Sequence, residues 1–337
     1  MKKILFATAS IVAFSAAGAA MAEVKVTGDA RLGLVYEDID IGGDSEDDVD
    51  GYSRVRVLFT LTGVSDSGLT FGANIRADNA AGGADEGNED VTSSEFPPVD
   101  PGPGATAEEI AAFEEAQAEF EADRSGRVST AGDVFVSGSF GTLTYGDTDS
   151  ALAQRTSNVD AINLTGLRDL HEINRGAQAG PRIRYDYDFD AFGVSLSTTG
   201  ELEEFAVGAS YSGDFGGTTI NFGIGYDDFE ENETVTASLG AGFGAFGVKV
   251  AFSQIDNDGD DISDGAVSLS YNAGDLDVAA FARFVDSDDN GDGEAYGIGA
   301  SYDLGGGLIA KAGVSYSDDI GGIDDVTVAD LGLQMEF

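Results

Sequence analysis

The sequence predicts an all-β protein, a transmembrane antiparallel β-barrel of about sixteen strands, with long loops at one end and short turns at the other. Four observations support this prediction. Apolar and polar residues alternate with a period of two through most of the chain, so each strand has one apolar and one polar face. The strands are numerous and even in number. Long acidic connections alternate with short glycine-containing turns, and the polar faces carry small and charged residues that suit a wet interior.

The first 22 residues are predicted to be a signal peptide. They begin with the basic "MKK", continue with the apolar run "ILFATASIVAFSAAGAA" and end with "AMA", which has the small-x-small form of a signal-peptidase site. Alternation starts directly afterwards and no basic stop-transfer flank follows, which argues against a membrane anchor. Residues 23–337 are therefore expected to form one exported barrel that begins at Glu23.

The alternation sets the position of each strand. In the second strand, Val55, Val57 and Phe59 share one face, and Arg54 and Arg56 share the other. The same criterion predicts strands near 23–37, 51–63, 68–78, 131–138, 142–147, 182–188, 192–199, 203–212, 217–228, 232–243, 245–255, 263–273, 275–286, 293–303, 307–317 and 325–337.

A soluble β-sandwich or solenoid is the competing architecture, and the strands of a sandwich also alternate. The connections favour the barrel: tight turns such as "SFGT", "GDFGG" and "NAGD" alternate with longer acidic segments such as "DIDIGGDSEDDVD" and "DSDDNGD". With the apolar faces toward lipid, closure leaves no strand edge unpaired in hydrocarbon. At about sixteen strands the interior is too wide for side chains to fill, so it remains a water channel.

The charge balance excludes one class of partner. The chain has 17 Lys and Arg against 62 Asp and Glu, a formal net charge of -45, which would repel the phosphates of nucleic acid. Charge alone would suggest disorder, but 42% of the residues are hydrophobic. The acidic loops are expected to attract cations to the outer mouth.

Five segments carry a family resemblance: "EVKVTGDARLGLVYE", "SRVRVLFTLTGVSDSGLTFGANIRA", "VFVSGSFGTLTYGDT", "SYDLGGG" and "VADLGLQMEF". In order and over most of the mature chain, they resemble the general diffusion porins of Gram-negative outer membranes, of the alphaproteobacterial type. The resemblance implies a sixteen-stranded barrel in outer-membrane lipid, usually a homotrimer. It also implies that the short turns are periplasmic and that the third long loop folds into the lumen.

The end of the chain belongs to the same resemblance. In these porins a C-terminal strand that finishes in Phe is recognised by the barrel assembly machinery, which implies that role for Leu331, Leu333, Met335 and Phe337. The carboxylate of Phe337 is expected near Glu23, where the last strand meets the first.

Residues 79–130 are predicted to form a long outer loop with a short helix. A Pro-Gly spacer precedes Thr106, which can cap a helix with Glu109 as its capping-box partner. The segment "AEEIAAFEEAQAEFEADR" then predicts an amphipathic helix of about eighteen residues within 106–124. Two roles stay open for it: a surface cap or subunit contact, and a flexible exposed excursion.

Residues 148–181 occupy the third long loop, so the resemblance implies that they constrict the pore. A loop of this length inside a compact structure is usually functional. The acidic side of the predicted constriction is Asp147, Asp149, Asp160, Asp169 and Glu172. The predicted basic wall is Arg31, Arg54, Arg56, Arg76, Arg182 and Arg184.

Two hypotheses explain these arginines. In the first, they face the loop carboxylates across the opening, and the resulting transverse field passes small dipolar solutes while it hinders apolar ones. In the second, they only neutralise neighbouring carboxylates and do not affect permeation.

A calcium site is a further hypothesis. In "DDNGDGE", Asp288, Asn290 and Asp292 stand at alternate positions as in a calcium loop, but the twelfth position holds Gly299 instead of Glu, so the EF-hand pattern fails. Two interpretations remain, solvated loops and loose calcium binding.

The sequence does not predict an enzyme. The one histidine, His171, has Ser157 and Asp169 in its vicinity, but no nucleophile motif surrounds it and no dinucleotide or phosphate-binding motif is present. The predicted function is a water-filled channel for passive diffusion of small hydrophilic solutes and ions, with a mild preference for cations and no required cofactor. The alternative is an acidic, calcium-binding surface or adhesive β-protein.

Overall fold

The alternating segments form sixteen antiparallel strands, and in this computed structural model they close into a barrel because β1 pairs with both β2 and β16. The structure describes residues 23–41, 44–81, 132–175, 181–200, 202, 204–229, 232–257, 260–288, 291–320 and 323–337. The predicted fold class is confirmed. The strands are β1 Glu23–Ile41, β2 Asp44–Val64, β3 Thr70–Ala81, β4 Gly132–Gly138, β5 Gly141–Asp147, β6 Pro181–Phe189, β7 Phe192–Thr199, β8 Phe205–Phe215, β9 Thr218–Phe229, β10 Asn232–Phe243, β11 Phe246–Asn257, β12 Asp260–Ala273, β13 Leu276–Ser287, β14 Gly291–Gly305, β15 Leu308–Ile320 and β16 Ile323–Glu336.

The first hairpin is longer than the sequence predicts. A loop is expected over 38–50, but β1 and β2 continue through most of it. Their ladder places Glu37 opposite Asp48, and Asp38 opposite Asp47. Like charges in direct register are unfavourable. Both aspartates of β2 are exposed, however, so water and salt screen the repulsion while the backbone hydrogen bonds persist.

Large apolar side chains cover the outside of the barrel, as the alternation predicts. Leu34 on β1, Val55 on β2, Phe252 on β11 and Ile298 on β14 are all exposed, and Leu331 on β16 is 62% exposed. Such an outer band suits hydrocarbon. The opposite parity carries serines, threonines, glycines and charged residues, which line the interior.

The barrel closes at a register that corrects one expectation. Phe337 donates its N–H to the Gly28 carbonyl at 2.9 Å, and the Gly28 N–H donates back to the Phe337 carbonyl at 3.3 Å. Glu23 instead lies opposite Thr62 of β2. The predicted meeting of the Phe337 carboxylate with Glu23 is therefore wrong, because the strands are staggered and β1 begins beyond the end of β16. Leu331, Leu333 and Met335 share the outward parity of β16 with Phe337.

One end of the barrel has short turns built by glycine. Gly216 and Gly217, between β8 and β9, have φ of +65° and +90°, a left-handed backbone that glycine adopts at little cost. The connections at the other end fall largely outside the described residues, and so does the predicted helix within 106–124. No helix in the described part of the chain is both long and apolar enough to cross a bilayer.

Candidate functional site

Among the described residues, one loop lies inside the barrel. We call its described residues, 148–175, the inner loop. It begins with a short helix, α1 (Ala151–Arg155), whose capping residue Ser150 accepts a hydrogen bond from the Ala153 N–H at 3.3 Å. This helix packs against β7, β8 and β9, where glycines give it room. A Cβ on Gly225 would stand 2.7 Å from the Cα of Leu152.

The middle of the inner loop hydrogen-bonds to serines of the wall. The Ser157 N–H donates to the Ser238 hydroxyl of β10 at 3.1 Å, and the Asp160 N–H donates to the Ser268 hydroxyl of β12 at 2.9 Å. Inward-facing serines accept these bonds without filling the space that the loop occupies. The polar face of the strands therefore holds the loop as well as facing water.

The tip of the inner loop is bound to β16 and β1. The Asp330 carboxylate accepts hydrogen bonds from the N–H groups of Leu164 and Thr165, at 2.9 and 2.8 Å, and from the Thr165 hydroxyl at 2.8 Å. Arg31 donates to the Leu164 carbonyl at 2.6 Å. A Cβ on Gly332 would lie 2.6 Å from the Leu164 side chain, so this glycine leaves room for the tip.

Apolar side chains bury the tip as well. Leu164 is fully buried and packs in a cluster whose other buried members are Val35, Tyr52, Leu167, Val326 and Val328. The valines and Tyr52 point inward, against the general apolar-out pattern of the strands. The wall thus supplies an apolar surface on which the loop packs, at the place where the loop excludes water.

The returning half of the inner loop is held by a hydrogen bond to a wall carboxylate and by an ion pair. The Asn174 N–H donates to Asp264 of β12 at 2.7 Å, and the same carboxylate pairs with Arg283 of β13 at 2.7 Å. Arg168 lies 3.6 Å from Glu37 of β1. The loop is thus fixed along the wall from β7 to β1, and the arginines of β2 and β3 remain on the uncovered side.

A cavity of about 1110 Å³ lies between the inner loop and that uncovered wall. Four of the six predicted wall arginines line it, and so do three of the five predicted acidic residues. These lining residues are Arg31, Arg54, Arg56, Arg76, Asp160, Asp169 and Glu172. The structure therefore brings part of each predicted group, wall arginines and loop acids, to one cavity. Their role as a constriction remains a prediction.

The four lining arginines, called here the wall arginines, have carboxylate partners on their own wall. Asp29 accepts from Arg31 at 3.1 Å and from Arg54 at 3.0 Å. On β3, Asp78 is shared in the same way: it lies 2.6 Å from Arg56 and 3.0 Å from Arg76. Four guanidinium groups against two carboxylates leave an excess of positive charge, so local neutralisation is real but incomplete.

Arg182 and Arg184 do not line this cavity, which corrects their assignment to the same basic wall. Arg182 is fully buried and lies 5.0 Å from the ring centroid of Phe229. Arg184 pairs with Asp186 at 2.9 Å and donates to the Asp149 backbone carbonyl at 2.8 Å, so it holds the start of the inner loop. They belong to β6, three strands beyond β3.

The acidic residues Asp147 and Asp149 also lie away from the cavity, and both are exposed. Asp149 contributes its backbone carbonyl, not its carboxylate, to the bond with Arg184. Sequence order alone therefore predicts two constriction residues, Asp147 and Asp149, that the structure places outside the cavity.

His171 lines the cavity from the loop side. Burial lowers its pKa from the ordinary value, and Arg283 acts in the same direction, while the nearby carboxylates Asp169 and Asp160 oppose the shift. The ring centroid lies 5.9 Å from that of Phe281 on β13. A neutral imidazole packed against an aromatic ring is better explained as a contact that holds the loop on the wall than as a reactive group.

The calcium hypothesis gains no geometric support in the described ranges. They contain no group of three His, Cys, Asp or Glu residues arranged to hold a metal ion. Asp292 lies opposite Asp286 on neighbouring strands, and Asp288 follows β13. Asn290 falls outside the described residues. Weak calcium binding at Asp288, Asn290 and Asp292 therefore stays a prediction.

Several contacts of the inner loop were not anticipated from the sequence. They involve Arg155, Arg168, Asp264, Arg283 and Asp330. Arg155, for example, ends α1 and reaches Asp188 of β6 at 2.6 Å. One sequence feature nevertheless indicates where the loop packs. The inward-facing positions of β16 change from Val326 and Val328 to polar residues near the chain end.

Comparisons with known proteins agree with this architecture. A family model described as Gram-negative porin matches residues 7–321. A porin of Rhodobacter capsulatus is 28% identical over an alignment of 359 positions, gaps included, which covers 94% of this chain and 100% of the relative. A porin structure refined at 1.8 Å resolution matches with a TM-score of 0.64 at 27% identity, covering 94% of this chain and 100% of that one. A triple mutant of Rhodopseudomonas blastica porin matches with a TM-score of 0.57 at 19% identity, over 93% and 100% of the two chains, and shows the fold alone.

Proposed function

Because the chain belongs to the Gram-negative porin family, its barrel is an outer-membrane channel, and we propose that it passes small hydrophilic solutes and ions by passive diffusion with a mild preference for cations. One observation supports this best: the inner loop is fixed along one part of the wall and leaves a cavity beside the wall arginines. A wide barrel narrowed by a polar, fixed loop suits selection by size and charge.

The cation preference follows from charge. The formal net charge is -45, and acids such as Asp47 and Asp48 are exposed near the outer end of the first hairpin. A negative potential at the mouth raises the local concentration of cations. The wall arginines oppose it within the lumen, which is why we propose a mild preference instead of strict selection.

The partners follow from the family resemblance. We propose a homotrimer in outer-membrane lipid that is inserted by the barrel assembly machinery, with the C-terminal strand ending in Phe337 as its signal. The exposed residues Leu331 and Phe337 support the last point, since they are accessible to another protein before lipid surrounds them.

Planar-bilayer recording of the purified protein tests the function. We expect large, lasting conductance steps and a reversal potential in a KCl gradient of the sign that indicates preference for potassium. A protein that leaves the bilayer insulating would contradict the channel and favour the acidic, calcium-binding surface protein. An unboiled gel beside the recording tests the trimer.

A further inference from the structure

Lys311 has no ion-pair partner among the residues that the structure describes. Lys311 on β15 lines the same cavity as the wall arginines. The carboxylates that act on it electrostatically are those of Glu336, Asp29 and Asp330, and none of them forms an ion pair with it within 4.0 Å. Each wall arginine, in contrast, has a carboxylate at 3.1 Å or less.

Each of the three nearby carboxylates has at least one oxygen that is engaged by another residue. Asp29 is shared by two arginines. Asp330 accepts three hydrogen bonds from the loop tip. Glu336 accepts from Gln334 at 3.2 Å. Lys249, another lysine in the described part of the chain, differs from Lys311 because it forms an ion pair with Asp160 at 2.6 Å.

Lys311 lies beside the space through which a solute passes the inner loop. It lies opposite Gly332 of β16 and Ser301 of β14. Two residues further along β15, Gly313 contacts the loop, where a Cβ would stand 2.8 Å from the Ile162 carbonyl. Lys311 therefore lies just on the short-turn side of the loop tip.

We propose that Lys311 is a specificity-determining residue, whose ammonium attracts small anions, or the anionic end of zwitterionic solutes, as they pass the loop tip. Its charge is available to a solute, whereas the wall arginines are largely engaged with Asp29 and Asp78. Lys311 thus counteracts the negative mouth and keeps the channel permeable to carboxylate- and phosphate-bearing solutes. This inference rests on the proposed channel function.

The test is the reversal potential of single variants in a KCl gradient, with potassium and chloride as the probes. Lys311→Gln should raise the potassium-over-chloride permeability ratio roughly twofold to fivefold. This is the factor that corresponds to the interaction energy of two unit charges several ångströms apart in water. Lys311→Arg keeps the charge and should keep the wild-type ratio. The matched control is Lys25→Gln, because Lys25 is exposed and does not line the cavity.

The variants are expected to fold, because removing an unpaired charge from a half-buried position leaves no partner behind. The inference is overturned if Lys311→Gln shifts the ratio no more than Lys25→Gln does, or if Lys311→Arg shifts it as much as Lys311→Gln. These outcomes are distinct from failure of the proposed function, in which the wild-type protein itself would show no conductance.

Discussion

Thr165 and Asp330 form two hydrogen bonds at 2.8 Å, one from the backbone N–H and one from the hydroxyl of the threonine. The two residues are 165 positions apart in the chain. Their contact joins the tip of the inner loop to the last strand, and the buried Asp330 accepts a third bond from Leu164. This carboxylate therefore helps to set the position of the loop tip, and with it the width of the channel there, together with Arg31 and the apolar cluster around Leu164.

Asp330→Ala is expected to release the tip. The change leaves three donors without their acceptor, which costs about 2–4 kcal/mol of loop-docking free energy. Single-channel recordings should become noisier and limited proteolysis should cut within the inner loop. Asp66→Asn, in an exposed turn between β2 and β3, is the control and should behave as wild type. Equal noise in the two variants would contradict the role of Asp330.

Gly299→Ala is expected to displace the inner loop, because a Cβ at this position would overlap the Ile162 carbonyl. The neighbouring atom is backbone, so the loop must move. We expect an altered single-channel conductance in a barrel that still folds. Gly51→Ala is the matched control, since a Cβ there meets nothing within 4 Å. An unchanged conductance in Gly299→Ala would show that the loop is not seated on β14.

Joint replacement of Arg54, Arg56 and Arg76 with Ser tests the transverse field. The triple variant removes three positive charges and leaves Asp78 without its two partners. We expect higher conductance and a potassium-over-chloride ratio raised roughly threefold or more, in line with the size of the charges removed. If both quantities stay at their wild-type values, the second hypothesis, local neutralisation without effect on permeation, is the better one.

We expect the docking of the inner loop on the wall to depend on pH through His171. Since burial lowers the pKa of His171 below its ordinary 6.5, the unfolded chain binds a proton more readily than the folded one in that range. Stability is therefore fully present above about pH 6.5 and is lost as pH falls below it. His171→Gln should show a weaker loss of thermal stability between pH 7 and pH 5. Identical pH profiles for the two proteins would argue against the assignment.

The strands could be predicted because their causes are local. Alternation places Arg54 and Arg56 inside and Val55 and Phe59 outside from neighbouring residues alone, and the structure confirms these faces. The strand ends were less predictable: the acidic hairpin continues past Glu37, because backbone pairing outweighs screened repulsion between exposed carboxylates.

The site was predictable only in part, because its contacts are remote in sequence. Chain order and resemblance identified the loop and the wall, yet they could not separate Arg76, which lines the cavity, from Arg182, which is buried. Both lie at polar positions of strands. What distinguishes them is the path of the inner loop, and that path depends on partners such as Asp264 and Asp330 far along the chain.

The pairing of Phe337 with Gly28 has a practical consequence for handling the protein. The final residue completes the seam between β16 and β1, so an affinity tag fused behind it would disturb both this pairing and the exposed aromatic end. Residues 23–26 are exposed and precede the seam. A purification tag is therefore better inserted directly after the predicted cleavage site, ahead of Glu23.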